Sequence, residues 1–474
     1  MCTDRGSWAA SDVFKRQLVF MLVAVIIIVL SRRHPQGQLY EAWQRLWQMP
    51  MAMATGLILL VFVVIALLDS LHYRPMLPSQ AGQKPQYSIE VISVLDTMLH
   101  TLRENKEKTY SAPLATQLYV KESVILANGT VVRDYPRLKF GGALLVDPQQ
   151  SKQADLLHRL LFGTVYGLLV GALLVGLSVA VLAVRRNCGW QALRQQLLAA
   201  DNRLPWRTAV LTMVLLCIVA AVMVELASAY HVFGTDKVGQ DVFYGTLKSI
   251  RTGLLIGTLT TLIMLPFAVL LGISAGYFGG WIDDVIQYTY TTLNAIPGVL
   301  LIVAAVLMMQ VYIETHPALF DSAAARTDFR LLFLCIILGV TSWTGLCRLL
   351  RGETLKLREL EYVQAARAFG VSDWRMMIRH ILPNLYHLVL ISVVMDFSGL
   401  VLAEAVLSYL GVGVDPAMQS WGNMINAARL EMARDPIVWW PLVAAFTFMF
   451  ILVLAANLFA DSVRDAFDPH GRQR

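Results

Sequence analysis

Two acidic residues inside an apolar stretch are the first candidates for chemistry. Asp396 and Glu404 fall in the run 385–410, eight positions apart, so a helix would place them on similar sides. An ionisable side chain in such a segment marks a transport path or a proton carrier by default. Glu404 has a second reading, as a structural partner for the loop that follows. Glu225 stands near the end of another apolar run and reads as interfacial. Other chemistries find no support. Histidines 231, 316, 380 and 387 are scattered without metal-ligand spacing, so no metal is expected. The cysteines Cys2, Cys188, Cys217, Cys335 and Cys347 form no CxxC pair. No GxxxxGK[ST] loop is present to cradle a nucleotide, and no HExxH, GxSxG or Ser/His/Asp order points to an enzyme.

The surrounding composition says what must position these residues. Of 474 residues 57% are hydrophobic and 15% charged, with mean hydropathy +0.57. Soluble domains carry about 45–50% apolar and about 25% charged residues, so a membrane protein is expected. The net charge of +6 then reads as loop bias and not as nucleic-acid binding. Apolar runs at 51–68, 160–184, 208–230, 252–277, 285–312, 331–350, 385–410 and 437–459 are long enough to span a bilayer. The run 18–30 is apolar but short. Residues 1–17 lack periodicity and fit either a non-native head or an unusual natural terminus.

Basic residues set the orientation. Arg185, Arg186, Arg194, Arg203 and Arg207 face only Asp201 in one loop, and Arg348, Arg351, Lys356, Arg358, Arg367, Arg375 and Arg379 crowd another. Both loops read as cytoplasmic, as does 31–50 with Arg32, Arg33 and Arg45. Alternation then gives a cytoplasmic carboxyl terminus and an external segment 69–157. That segment reads as a small α+β domain. Apolar residues at helical spacing predict a helix over 89–103, and Asn128-Gly129 between two β-prone runs predicts a type I′ hairpin. Pro266, Asn294 and Pro297 interrupt spans, while Gly253/Gly257 and Gly272/Gly276 suit close helix packing.

The loop "LKLRELEYVQAARAFGVSDWRMMIRHILPNL" is the most informative segment. It predicts a helix over 362–369, ended by Gly370 with positive φ. Ser372 or Asp373 would cap a second helix over 374–381, with Pro383 just inside the next span. Ala365-Ala366, Gly370 and Leu382-Pro383 resemble the EAA loop of permease subunits in ATP-binding-cassette (ABC) importers, with Gln364 in place of the glutamate and His380 in place of an isoleucine. Gly234-Thr235-Asp236, Gly239 and Asp241 resemble an external element of the oligopeptide/dipeptide/nickel branch, although Gln240 replaces an arginine. Glu404, Leu407-Ser408, Leu410-Gly411, Gly413, Pro416 and Trp421-Gly422 are similar to a third motif of that branch.

The resemblance covers 205–469 and implies an all-α transmembrane fold. A six-helix permease core at 205–474 would follow two or three extra transmembrane helices (18–68 and 158–204) and the external domain. It implies a peptide importer subunit, the second permease of a pair, in a bacterial inner membrane. Coupling to an ATPase would run through 356–384, on Glu361, Gln364, Ala365, Ala366, Arg367, Gly370, Asp373, Leu382 and Pro383. Asp236, Asp241, Asp396, Glu404 and Trp421 would belong to the pathway or its external loops. Implied partners are a second permease, one or two ATP-binding subunits, an external solute-binding protein that the extra domain would help dock, the peptide and the bilayer. No cofactor is expected in the chain itself, since ATP would bind the partner subunits. A proton-coupled secondary transporter and a nickel-chelate permease remain as alternatives.

Overall fold

The computed structural model describes residues 38–75, 88, 91–125, 131–145, 147–186, 205–317 and 323–467. The head 1–17, the run 18–30 and the Asn128-Gly129 turn lie outside the described residues. Eight described helices are long and apolar enough to cross a membrane. The chain divides into two compact units, Met1–Arg251 with Ala427–Ala466, and Thr252–Asn426 with Phe467–Arg474.

The first unit opens with α1 (Gln38–Gln48) and α2 (Pro50–Ser70), then β1 (His72–Tyr73), β2 (Ile92–Ser93), α3 (Val94–Met98) and α4 (His100–Glu104). The helix expected over 89–103 is thus split into a strand and two short helices. Ser93 is the reason. Its hydroxyl accepts from the Asp96 N–H at 3.0 Å and the Asp96 carboxylate accepts from the Ser93 N–H at 3.0 Å, a reciprocal cap that starts a helix at Val94 and no earlier. Of the expected hairpin the two strands are present, β3 (Glu122–Ile125) antiparallel to β4 (Val131–Asp134) with Ile125 opposite Val131, while its type I′ turn falls outside the described residues.

Next come α5 (Pro148–Arg186) and α6 (Trp206–Ala227). Their contact is built on Gly163, Gly167 and Gly171. A Cβ on Gly167 would lie 2.5 Å from the Ile218 Cα, and one on Gly163 would lie 2.9 Å from the Val222 Cα. A ridge of three glycines, four residues apart, thus lets two backbones touch. α7 (Val242–Phe278) begins in this unit, and α15 (Trp440–Phe467) also belongs largely to it.

The second unit holds the rest of α7, then α8 (Gly280–Ala295), α9 (Gly298–Thr315), α10 (Ala323–Leu357), α11 (Glu361–Ala368), α12 (Asp373–Met376), α13 (Leu382–Tyr409) and the start of α14 (Trp421–Glu431). The single span expected over 285–312 is two helices, parted at Ile296–Pro297, where proline has no N–H to give. Pro266 behaves otherwise, since α7 runs through it unbroken. The small-residue pairs do pack closely. A Cβ on Gly272 would lie 2.8 Å from the Cys347 carbonyl oxygen and one on Gly276 would lie 2.7 Å from that of Arg351, so α7 and α10 meet backbone to backbone. Met264, Ile273, Tyr277, Leu350, Met376 and Ile381 form the buried core beside this contact.

Candidate functional site

The segment 361–384 is mounted on that core. Val363, Met376, Met377 and Ile381 are buried and hold it from beneath. α11 ends as anticipated: Gly370 has φ +79°, its N–H donates to the Arg367 carbonyl at 3.0 Å, and the Val371 N–H donates to the Ala366 carbonyl at 3.2 Å. This pair of bonds satisfies the last carbonyls of α11, and Ala366 and Val371 pack together on the core. A Cβ on Gly370 would touch nothing, so only the left-handed backbone demands glycine there.

The second half departs from expectation. Ser372 occupies the N-cap position of α12, but its side chain makes no capping bond. Asp373 instead accepts a 2.7 Å hydrogen bond from the Tyr277 hydroxyl. α12 does not stop before the span. It widens into a π-turn over Met377–Ile381 and runs on into α13, with Pro383 in the first turn. Proline there can neither donate to the carbonyl four residues back nor tolerate it close by, and an extra residue in the turn relieves both problems. Asn384 completes the repair, since its amide donates to the His380 carbonyl at 2.7 Å and to the Tyr362 hydroxyl at 2.9 Å. Arg351 adds a paired contact to Asp283 (Nη2–Oδ2 2.6 Å), and Arg358 donates to the Gly276 carbonyl at 3.3 Å.

The outer surface of this segment is unfinished. Phe369 is 89% exposed and Trp374 59% exposed, with Leu360, Tyr362 and Ile378 also open. Glu361, Gln364, Ala365, Arg367, Gly370, Asp373 and Pro383 are exposed, while Ala366 and Leu382 are half-buried. Arg367, Arg375 and Arg379 make no ion pair among the described residues.

The loop 231–241, in the first unit, is built in the opposite manner. Asp236 accepts from the Val238 and Gln240 N–H groups, each at 2.9 Å. Burial raises its pKa, with those two bonds acting against the rise. Asp241 caps α7, accepting from the Phe243 N–H at 2.7 Å, and its other oxygen meets His231 Nδ1 at 2.7 Å. The buried His231 ring lies between Asp241 and Glu107, whose Oε1 is 3.5 Å from Nε2. Glu107 also accepts the Lys139, Phe140 and Gly141 N–H groups. Burial pushes the His231 pKa down, but the two carboxylates outweigh it and raise the value to about 9. Burial likewise pushes Glu107 up, yet His231 and the three N–H donors hold it down to about 2.

Glu404 and Trp421 both lie in the second unit, and Glu404 meets the residue after Trp421, Gly422. Both are buried; the Glu404 carboxylate accepts from Ser408 Oγ at 2.7 Å, with Ser420 as a further hydroxyl partner. Gly422 lies against Ser408 and Ala405, and Trp421 covers Gly253. Asp396 is half-buried and has no hydrogen-bond or ion-pair partner among the described residues. Glu225, in the first unit, pairs with Arg159 at 3.2 Å.

Comparison with known proteins gives these motifs a family. Residues 268–473 match the family described as the inner membrane component of binding-protein-dependent transport systems. The glutathione transport system permease protein GsiD of Pectobacterium atrosepticum is 34% identical over 246 residues, which cover 52% of this chain and 74% of that protein. The chain belongs to the peptide family of ABC importer permeases. The oligopeptide permease protein OppC of Mycobacterium tuberculosis is 31% identical over 242 residues (51% and 77% covered), and the dipeptide permease protein DppC of Bacillus subtilis 30% over 246 (52% and 71%). The permease is therefore a multi-pass membrane transport protein and not an enzyme, as its motifs had indicated. Sequence reasoning passed over Glu107 and Tyr277 in this permease, and read Thr235 only as part of a motif. Glu107 and Tyr277 carry no motif, and each acts on a residue far away in the chain. A signal did exist for Asp241, which immediately precedes the apolar start of α7 and so reads as a cap.

Proposed function

We propose that this permease forms half of the translocation pathway of an ATP-driven peptide importer in a bacterial inner membrane. One observation carries the reading. The 361–381 segment presents an exposed aromatic tip on a buried, packed base, which is the form of a surface awaiting a partner. The chain shows no nucleotide loop, so the free energy that biases its conformations enters from outside. ATP-binding subunits, one or two in kind, would receive this segment on the cytoplasmic side. Glu361, Gln364, Ala365, Ala366, Arg367, Gly370, Asp373, Leu382 and Pro383 would form the contact or hold its shape. A second permease would complete the pathway, and a solute-binding protein would deliver the peptide to the side bearing 69–157. The carboxyl terminus would be cytoplasmic, and 205–474 would be the permease core.

The relatives are named for glutathione, oligopeptide and dipeptide transport, which favours a short peptide as cargo. Asp236, Asp241, Glu404 and Trp421 serve the structure of the loops at the mouth of the pathway. Asp396, half-buried and without a hydrogen-bond or ion-pair partner among the described residues, is the residue best suited to face the pathway itself. The same carboxylate sustains a second reading, proton-coupled transport.

The test is a mild-detergent pull-down of the tagged chain, with a Gly370→Pro variant in parallel. A second permease and ATP-binding subunits should co-purify, and the ATP-binding subunits should drop out with the variant. Recovery of the chain alone would overturn the importer reading. Uptake driven by a proton gradient and lost in Asp396→Asn would then support the second one.

A further inference from the structure

The segment 105–119 lies in the part of the chain that the core motifs leave unassigned. It runs between two loops of the permease and is bonded to both. On one side is 231–241, which leads into α7. The Glu107 N–H donates to the Gly239 carbonyl at 2.9 Å, the Leu114 N–H to the His231 carbonyl at 2.9 Å, and the Thr235 N–H to the Ser111 carbonyl at 3.1 Å. The Thr235 hydroxyl accepts from the Ser111 N–H at 2.7 Å and donates to the Thr109 carbonyl at 2.8 Å. Gly234 and Gly239, both with positive φ, leave room that the segment fills. A Cβ at Gly239 would lie 1.8 Å from the Glu107 carbonyl oxygen, and one at Gly234 would lie 2.3 Å from that of Ser111.

On the other side is 431–440, which leads into α15. The Tyr119 hydroxyl donates to the Ile437 carbonyl at 3.1 Å, and its ring meets Trp440 edge-on at 4.8 Å between centroids. The Arg434 guanidinium lies over the Tyr110 ring at 5.4 Å. The two loops also touch directly at one point, where Trp440 Nε1 donates to the Thr235 carbonyl at 3.0 Å.

We infer that residues 105–119 are an intramolecular clamp that holds the loops ahead of α7 and α15 as one body throughout the transport cycle. The bonds to 231–241 are mostly backbone bonds in a buried setting, where an unpaired group is strongly disfavoured. Release of this side would strand several such groups at once, so it does not open in ordinary motion. The bonds to 431–440 are aromatic and polar side-chain contacts, individually weaker. The clamp therefore fixes one loop firmly and drags the other with it. The function is mechanical. The first turns of α7 and α15 shift together, and a partner that presses on the inserted segment moves both.

This inference rests on the importer reading only for the existence of a cycle. The test places spin labels on Lys237→Cys and Ala433→Cys, both exposed, in a full-length chain whose native cysteines are replaced by alanine. Distances are measured in the assembled transporter with and without a non-hydrolysable ATP analogue. The clamp predicts one narrow distance, the same in both states. It also predicts that Tyr119→Ala broadens the distribution about twofold, as a released loop samples more positions. Glu107→Gln keeps the shape of the side chain and separates loss of the clamp from loss of folding. It should broaden the distribution less than Tyr119→Ala. A wild-type distance that changes with nucleotide overturns the inference. So does a Tyr119→Ala distribution as narrow as wild type, since the Trp440–Thr235 bond alone would then hold the loops. If no ATP-binding subunits assemble, the importer reading fails, while the label distances in the chain alone still decide the clamp.

Discussion

The loop 231–241 and the segment 361–381 both join membrane helices, and both turn on a glycine in the left-handed conformation, yet they are finished in opposite ways. Around 231–241 the buried and half-buried charges have partners within the chain: Asp241 with His231, Glu107 with three N–H groups, Asp236 with two. Around 361–381 three arginines are unpaired among the described residues and the largest aromatic side chains face outward. The chain closes the first surface with its own inserted segment and leaves the second open. A glycine, or a cluster of charges, thus has no fixed meaning. What fills the space beside it decides whether it serves folding or assembly.

Substitutions at the two glycines should separate these cases most sharply. Gly239→Val combines positive φ with a clash against the Glu107 backbone, and should destabilise the permease by more than about 3 kcal/mol. Thermal unfolding in detergent would show it, and a wild-type midpoint would contradict the tight fit described for the loop. Gly370→Ala meets the same backbone conformation with open space around it, so only the left-handed strain of about 1–2 kcal/mol is expected. Amide exchange should quicken within 361–381 and nowhere else. Equal losses at both glycines would erase the distinction between the surfaces.

A smaller effect follows from titration. His231 has a folded pKa raised from 6.5 to about 9, so its stabilising contribution is full below 6.5 and fades as pH rises through about 9. Glu107 is lowered from 4.5 to about 2, so its contribution is full above 4.5 and fades as pH falls through about 2. The cluster is therefore most stabilising between these limits, near pH 4.5–6.5. His231→Gln should lower the unfolding midpoint in that window, and the gap to wild type should narrow above pH 9. A gap that does not change with pH would place the role of His231 in packing alone. The smallest change in stability, within about 0.5 kcal/mol, belongs to Phe369→Ser at the open tip. That variant should nonetheless reduce co-purification of ATP-binding subunits several-fold. Undiminished recovery would remove the aromatic tip from the docking surface.

Much of this architecture was readable from residue patterns. The apolar runs located the spans, and Gly370 announced its turn, because both signals are local. Proline shows the limit. Both read as interruptions of a span, yet Pro297, beside Gly298 and Asn294, breaks a helix, while Pro266, between Leu265 and Phe267, does not. The outcome depends on which neighbours satisfy the freed carbonyl. The helix over 89–103 failed for a related reason, since Ser93 and Asp96 bond to each other's backbone and Ser93 also donates to Asp69 at 2.8 Å. Within the candidate site the motif residues were recognisable by type and order. Glu107 and Tyr277 were not, because each matters through a partner roughly a hundred positions away.

The glycine ridge of α5 bears on how the membrane part is made. α5 leaves the ribosome before α6, so α6 meets a groove already in place for its Val214, Ile218 and Val222. A chain trimmed to begin at 205 would deliver that strip of β-branched side chains to lipid instead. α5 is in this sense a mould for the helix that follows it, and its removal would be felt first as poor insertion during synthesis.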